Sequence, residues 1–220
     1  MHLGAKIRLT LALLLVFAAT PSLTQEVIDR IVARVDTDII LLSDVRELAR
    51  YQLFVDGQSE SDQQILDHLV DQWIVRNEAR AALFPQPSDE EVKRSLERLK
   101  RSFSSPEEFE ARQKQTGLTD EDIERMLRAQ LYFSNYLDSR FRASIQIDEK
   151  DIEEFYKSRV VPRAESRGQQ PPTLDAARGF IQEVLVQRAI NAQSDRWLKE
   201  SRARVRVDNL LNEDSKEGAK

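Results

Sequence analysis

Seven times between residues 43 and 173 the sequence writes the start of a helix, and that repetition limits the fold more than any other feature. Ser61-Asp62-Gln63-Gln64 and Ser88-Asp89-Glu90-Glu91 are capping boxes, in which a hydroxyl and a side chain three residues on satisfy each other's amides. Ser105-Pro106-Glu107-Glu108 reads the same way, with proline at the first helical position, where its missing N–H costs nothing. Ser43, Thr119, Asp148 and Thr173 open four more helices, and Gly57 ends the first of them. Apolar residues recur at helical spacing behind these caps. Ile65, Leu66, Leu69, Val70, Trp73 and Ile74 form one such stripe, and Ile123, Met126, Leu127, Leu137 and Phe141 form another between Thr119 and Arg142. The acidic first turns could be taken for paired catalytic carboxylates. Each lies where negative charge complements the helix dipole, which is the better account of them.

Two short alternating segments flank the helices. Ile31-Val32-Ala33-Arg34-Val35 and Ile39-Ile40-Leu41 enclose Asp36-Thr37-Asp38, the composition of a β-hairpin and its turn. Val205-Arg206-Val207-Asp208 reads as a strand too short to stand alone, while the hairpin has edges in need of a partner. The two are expected to share one sheet. Between them, residues 159–172, with Pro162, Gly168, Pro171 and Pro172, read as a linker without regular structure. Thr173 then caps the longest helix, running to about Arg204, and residues 211–220 read as a disordered tail. The fold class that follows is mostly α, a multi-helix core with a small β-sheet made by an N-terminal hairpin and a C-terminal strand.

The N-terminus reads as a secretory signal over residues 1–24. Lys6 and Arg8 precede an apolar run from Leu9 to Ala19, and small residues follow, with cleavage expected between Ala19 and Gln25. The run falls short of the ~20 residues that span a bilayer, and without cysteine no lipoprotein anchor is possible. The expected location is the periplasm, with no stable membrane anchor. The formal charge of −5 becomes about −7 once Lys6 and Arg8 are removed, and the two signs are interspersed, which disfavours nucleic acid and anionic membrane surfaces as partners. Of the two histidines, His2 leaves with the signal and His68 sits in a helical pattern as a half-exposed residue. Six glycines give no phosphate cradle, and the spacing offers no zinc site and no nucleophile–histidine pair. The expectation is a protein without cofactor, metal or catalytic site.

The order of these elements resembles the SurA-like family of periplasmic chaperones. Arg30-Ile31-Val32-Ala33-Arg34-Val35 with Ile39-Ile40-Leu41-Leu42-Ser43-Asp44-Val45 resembles the start of that family's mature chain. Pro87-Ser88-Asp89-Glu90-Glu91-Val92, Glu107-Glu108-Phe109-Glu110 and Gly117-Leu118-Thr119-Asp120-Glu121-Asp122-Ile123 continue the likeness. So do Ile145-Gln146-Ile147 with Ile152-Glu153-Glu154-Phe155-Tyr156, and Trp197-Leu198 with the strand after it. The match spans residues 25–210. On that likeness, residues 25–158 form a SurA-like N-terminal helical domain, 159–172 replace an isomerase domain, and 173–210 complete the core. The chain departs at Leu83-Phe84-Pro85, where the family usually has a glycine turn. A larger departure is that only Lys157 to Thr173 lies where the family inserts a parvulin-type isomerase.

The resemblance implies an ATP-independent holdase for unfolded or nascent outer-membrane and other envelope proteins, without isomerase activity, and leaves room for a homodimer. A helical adaptor, or a partner subunit of a separate isomerase, remains an alternative. A degenerate peptidyl-prolyl isomerase fits less well. The helix at 119–142 and the last helix are apolar on two sides, so each is buried between elements or offers one side to a partner. The candidate peptide-binding residues on those second sides are Ala129, Tyr132 and Tyr136 on the first, and Val186, Ile190 and Trp197 on the second. The same aromatics can instead pack helix against helix, and the pattern alone does not choose.

Overall fold

A computed structural model describes residues 29–211. The signal segment 1–24 and residues 212–220 of the expected tail lie outside them. The described chain is mostly α with one small antiparallel sheet, as the sequence leads one to expect.

β1 (Ile31–Val35) and β2 (Asp38–Leu41) form the hairpin, with Val35 opposite Asp38, so Asp36 and Thr37 make the turn. Asp36 takes a left-handed φ of 52°, a conformation its short polar side chain tolerates. β3 (Val207–Asn209) pairs antiparallel with the other edge of β1, giving the order β2-β1-β3. The Asp36 carboxylate accepts from the Arg206 amide at 3.0 Å, and the Arg206 carbonyl accepts from the Asp36 amide at 2.9 Å. The two ends of the described chain are thus sewn together. Leu211 is itself 7 % exposed and belongs to the core, which corrects the expectation that disorder begins at that residue.

The helices are α1 (Leu42–Asp56), α2 (Asp62–Ala81), α3 (Asp89–Ser102), α4 (Pro106–Thr116) and α5 (Asp120–Phe141), then α6 (Glu149–Phe155), α7 (Val161–Glu165) and α8 (Leu174–Arg202). Complete capping boxes stand at Ser61, Ser88 and Thr119. At Ser105 the box is incomplete. Its hydroxyl accepts from the Glu108 amide, but Glu108 reaches past it to the Ser104 amide at 3.0 Å. Ser43 is not a cap at all, since α1 begins at Leu42. There the Asp44 carboxylate accepts from the Leu41 amide at 2.8 Å, and an apolar residue can stand at the cap because only its N–H is used.

The expected linker is half helical. α6 runs through a π-helical turn (Tyr156–Val160) into α7, and only residues 166–173 are irregular. Proline inside a helix removes an i→i−4 bond and crowds the carbonyl it would have used. Here the Val161 amide bonds five residues back, to Tyr156, so the widened turn ends just before Pro162. Pro162 thereby stands in the first turn of a new segment, where it is tolerated. Gly168, at φ 65°, ends the run in the left-handed region.

Three apolar clusters hold the molecule together, and they explain the two-sided helices. The first joins the sheet to α1, α2, the C-terminal half of α5 and the end of α8, through Val32, Val35, Trp73, Tyr132, Tyr136 and Trp197. A second gathers Phe54, Val92, Phe109, Leu118, Ile123 and Leu127, from α1, α3, α4 and the N-terminal half of α5. Ile152 on α6 meets Ala177 and Ile181 on α8 in the third. α5 and α8 therefore each serve two clusters in succession along their length. Arginine ties cross the same joints. Arg202 on α8 reaches Asp71 at 2.6 Å and the Asp67 carbonyl on α2, and Arg142 bridges Asp138 on α5 to Glu183 on α8 at 2.7 and 2.8 Å.

Candidate functional site

A trough of about 630 Å³ opens between α1, α2, α3 and α5. Its apolar lining comes from Leu48, Tyr51 and Val55 on α1, Leu99 on α3, and Met126, Leu127 and Phe133 on α5. Gln72 and Gln130 stand among them, while the Gln52 side amide beside them is already paired with Glu60, donating to its carboxylate and accepting from its amide at 3.0 Å each. A side amide both donates and accepts, so such residues can meet the backbone of an extended chain whatever its sequence. A smaller hollow of about 250 Å³ continues the trough, sharing Gln72, Ala129 and Phe133 and reaching Arg76, Arg80 and Tyr132. At that end Arg128 is already engaged, donating to the Pro87 carbonyl at 2.8 Å and to Asp89 at 2.7 Å.

Burial, with the Asp56 carboxylate nearby, pushes the Tyr51 phenol up to about 12, so it stays a neutral ring at any ordinary pH. His68 is half exposed, as its helical pattern implies, and its Nε2 lies 2.8 Å from Glu60. The Ser102 hydroxyl donates to the Leu99 carbonyl at 2.7 Å, a helix-internal bond rather than a contact with a base. Among the described residues no group of three or more His, Cys, Asp or Glu is placed to hold a metal ion, and no helix is long and apolar enough to cross a membrane. What the arrangement offers is apolar surface with adaptable hydrogen-bonding groups.

The candidate residues read from the sequence divide sharply here. Ala129 is exposed at the junction of the two hollows, and Tyr132, only 6 % exposed, is among the residues lining the smaller one. Tyr136, Trp197 and Ile190 are buried, at 5 %, 9 % and 2 % exposure, and line neither hollow; the groove role expected for them gives way to packing. For the two tyrosines the reason is Phe84. It folds back from the end of α2 and puts its ring 5.9 Å from Tyr132 and 5.5 Å from Tyr136, filling the side that would have been open. Arg140 closes the outer face, its guanidinium 4.7 Å from the Trp197 ring and donating to the Tyr136 hydroxyl at 3.0 Å. Val186 is half-buried on α8, away from the trough. The sequence reading passed over Phe133 and Gln130 as groove residues. Met126, Ala129, Gln130 and Phe133 follow the spacing i, i+3, i+4, i+7, so a third face of α5 was there to be found. No family model matches the chain, and no curated protein does either.

The lowered carboxylates at the caps of α3, α4 and α5 should make the fold acid-sensitive. The Thr119 amide, the Arg125 guanidinium and the Thr119 hydroxyl hold the Asp122 carboxyl at about 2, below its ordinary 3.8. The Ser88 amide lowers Glu91, and Ser104 lowers Glu108. A carboxyl whose folded pKa lies below its unfolded value stabilises the fold above the unfolded value. That contribution is lost as pH falls through the folded one. The melting temperature should be flat above about pH 5 and fall steadily toward about pH 2. Asp122→Asn should flatten part of that slope. A melting temperature independent of pH across this window would show that these caps carry no stability.

Proposed function

We propose that the protein is an ATP-independent periplasmic chaperone that holds unfolded outer-membrane and other envelope proteins as extended segments in the α1/α2/α3/α5 trough. The observation that carries the reading is the trough's chemistry: an apolar floor with aromatic and thioether side chains, with Gln72 and Gln130 between them and Asp56, His68, Asp71 and Arg98 also in its lining. Aromatic and methionine surfaces re-pack around different clients, and side amides meet any backbone, which suits weakly selective binding. The signal-like N-terminus supports the location. The SurA-like order of elements supports the class of protein. The short stretch between Tyr156 and Leu174 leaves no room for a parvulin-type domain, so prolyl isomerisation is not part of the proposal.

Affinity should be modest, because an extended client loses conformational freedom when it is held. The test is suppression of aggregation of a denatured outer-membrane protein, compared between the wild-type chain and Ala129→Glu. Ala129 is exposed and glutamate suits a helix, so the melting temperature should move by no more than about 0.5 kcal/mol implies. The new carboxylate lines the trough where it joins the smaller hollow, so an apolar segment seated there would have to desolvate it, and protection should fall several-fold. If the wild-type chain protects no denatured envelope protein at a one-to-one ratio, the holdase reading fails. A helical adaptor, or a subunit that joins a separate isomerase, then replaces it.

A further inference from the structure

α8 carries an exposed aromatic that none of the three clusters uses. Phe180 is 68 % exposed, yet it stands in line with Ala177, Val184 and Arg188 at spacings of three, seven and eleven residues around one helix face. That face forms one wall of a cleft of about 1160 Å³, and the opposite wall is the π turn and α7. Phe155, Val160, Pro162 and Val184 supply apolar lining. The irregular segment closing the cleft is fixed from behind, where the Tyr156 hydroxyl donates to the Pro172 carbonyl at 2.7 Å.

Charge distinguishes this cleft from the trough. Arg159, Arg163, Arg167 and Arg188 line it, all exposed, and no Asp or Glu does. The nearby acids are mostly committed elsewhere: Glu153 to Lys157, Glu149 and Asp175 to Arg178, Glu183 to Arg142. Glu165 is the acid left on α7. Arg159, Arg163 and Arg167 have no side-chain hydrogen bond or ion pair among the described residues. Arg188 lies 4.8 Å from the Phe155 ring, and a guanidinium stacked on a ring keeps its in-plane N–H donors free for a carboxylate. In a chain of net charge −5, this is a local concentration of unpaired positive charge around an apolar seat.

We propose that this cleft is a second binding site, separate from the trough, for an extended acidic peptide segment with an apolar anchor. The anchor packs on Phe180 and Val184, and flanking carboxylates pair with Arg159, Arg163, Arg167 and Arg188. A peptide fits better than an anionic lipid surface because the arginines line a concavity and not a flat face. The acidic body of the chain is also repelled by such a surface. Nucleic acid fits less well again, since one exposed aromatic gives no run of stacking platforms.

The experiment uses the full mature chain and a fluorescently labelled peptide of Asp and Glu around a central Phe, followed by anisotropy. Controls are the same peptide with Lys for its acids and with Ala for its Phe. The acidic peptide should bind, and binding should weaken by about tenfold or more between ~20 and ~300 mM salt. Arg163→Glu with Arg167→Glu should cause a loss of similar size. Phe180→Ser should weaken binding several-fold at both salt concentrations, with little change in melting temperature because all three side chains are exposed. Ala129→Glu should leave it unchanged, which separates this site from the trough whatever happens to the holdase reading. The proposal is overturned if the acidic peptide does not bind, if the Lys peptide binds equally, or if the substitutions have no effect. Phosphatidylglycerol vesicles that bind through these arginines more tightly than the peptide would also overturn it, and would assign the cleft to a lipid surface.

Discussion

A chain cut at Thr173 should lose its cooperative fold altogether. The cut removes Trp197, Leu198 and Leu211 from the first cluster, and those side chains close it against Tyr136, Phe141 and the sheet. It also strips β3 from β1, exposing one edge of the hairpin, and it leaves Asp67 and Asp71 without Arg202. On α6, Ile152 loses both of the buried residues it packs against. Burying one large apolar side chain is worth about 1.5–3 kcal/mol, and deleting a buried tryptophan side chain costs about 3–5 kcal/mol. A domain of this size has only about 5–15 kcal/mol in total, so the combined loss exceeds what the remainder can hold. Circular dichroism of residues 25–172 should show no sigmoidal melt, together with exposed apolar surface. A truncated chain melting at the midpoint of the intact one would mean that residues before Thr173 fold by themselves.

Replacing Tyr132 and Tyr136 together by alanine should cost several kcal/mol of stability. Each buried ring is worth about 3–5 kcal/mol on truncation, and the two losses will not add simply because both rings contact Phe84. The phenylalanine variants dissect the effect. Tyr132→Phe should be nearly silent, since its hydroxyl makes only a long 3.4 Å bond to the Phe84 carbonyl. Tyr136→Phe removes the acceptor used by Arg140 at 3.0 Å and should cost about 1 kcal/mol. Protection of a denatured client by the double alanine variant should decline only in step with its unfolding, measured on the same samples. If the melting midpoint instead stays put while protection vanishes, the tyrosines line a client groove after all. The contrast with Ala129→Glu separates two roles: the paired tyrosine substitutions remove core, although Tyr132 also lines the smaller hollow, whereas Ala129→Glu changes the trough at an exposed position and leaves the core intact.

The parts of this protein legible in the sequence are those whose physics is short-ranged. A capping box joins residues three apart, so Ser61, Ser88 and Thr119 announce their helices without reference to anything distant. Gly57 and Gly117, at φ 74° and 67°, mark helix ends for the same local reason. The meeting of β3 with β1 is long-ranged, yet it could be inferred because an unpaired strand edge is costly wherever its partner lies in the chain. Local reading failed at Pro162, where a π turn one step earlier moved the hydrogen bonds out of proline's way.

Tertiary structure alone decided the use of the two-sided helices. Periodicity records that Tyr132, Tyr136 and Trp197 are apolar in a pattern, and it is silent on what approaches them. Phe84 and Arg140 did the covering, one from the end of another helix and the other from one turn further along α5, and turned a possible groove into core. The trough is likewise a property of four helices, α1, α2, α3 and α5, each contributing a few residues whose spacing along its own helix looks ordinary. Burial depends on which surfaces remain uncovered after every other element has packed. No residue's neighbours in sequence carry that information.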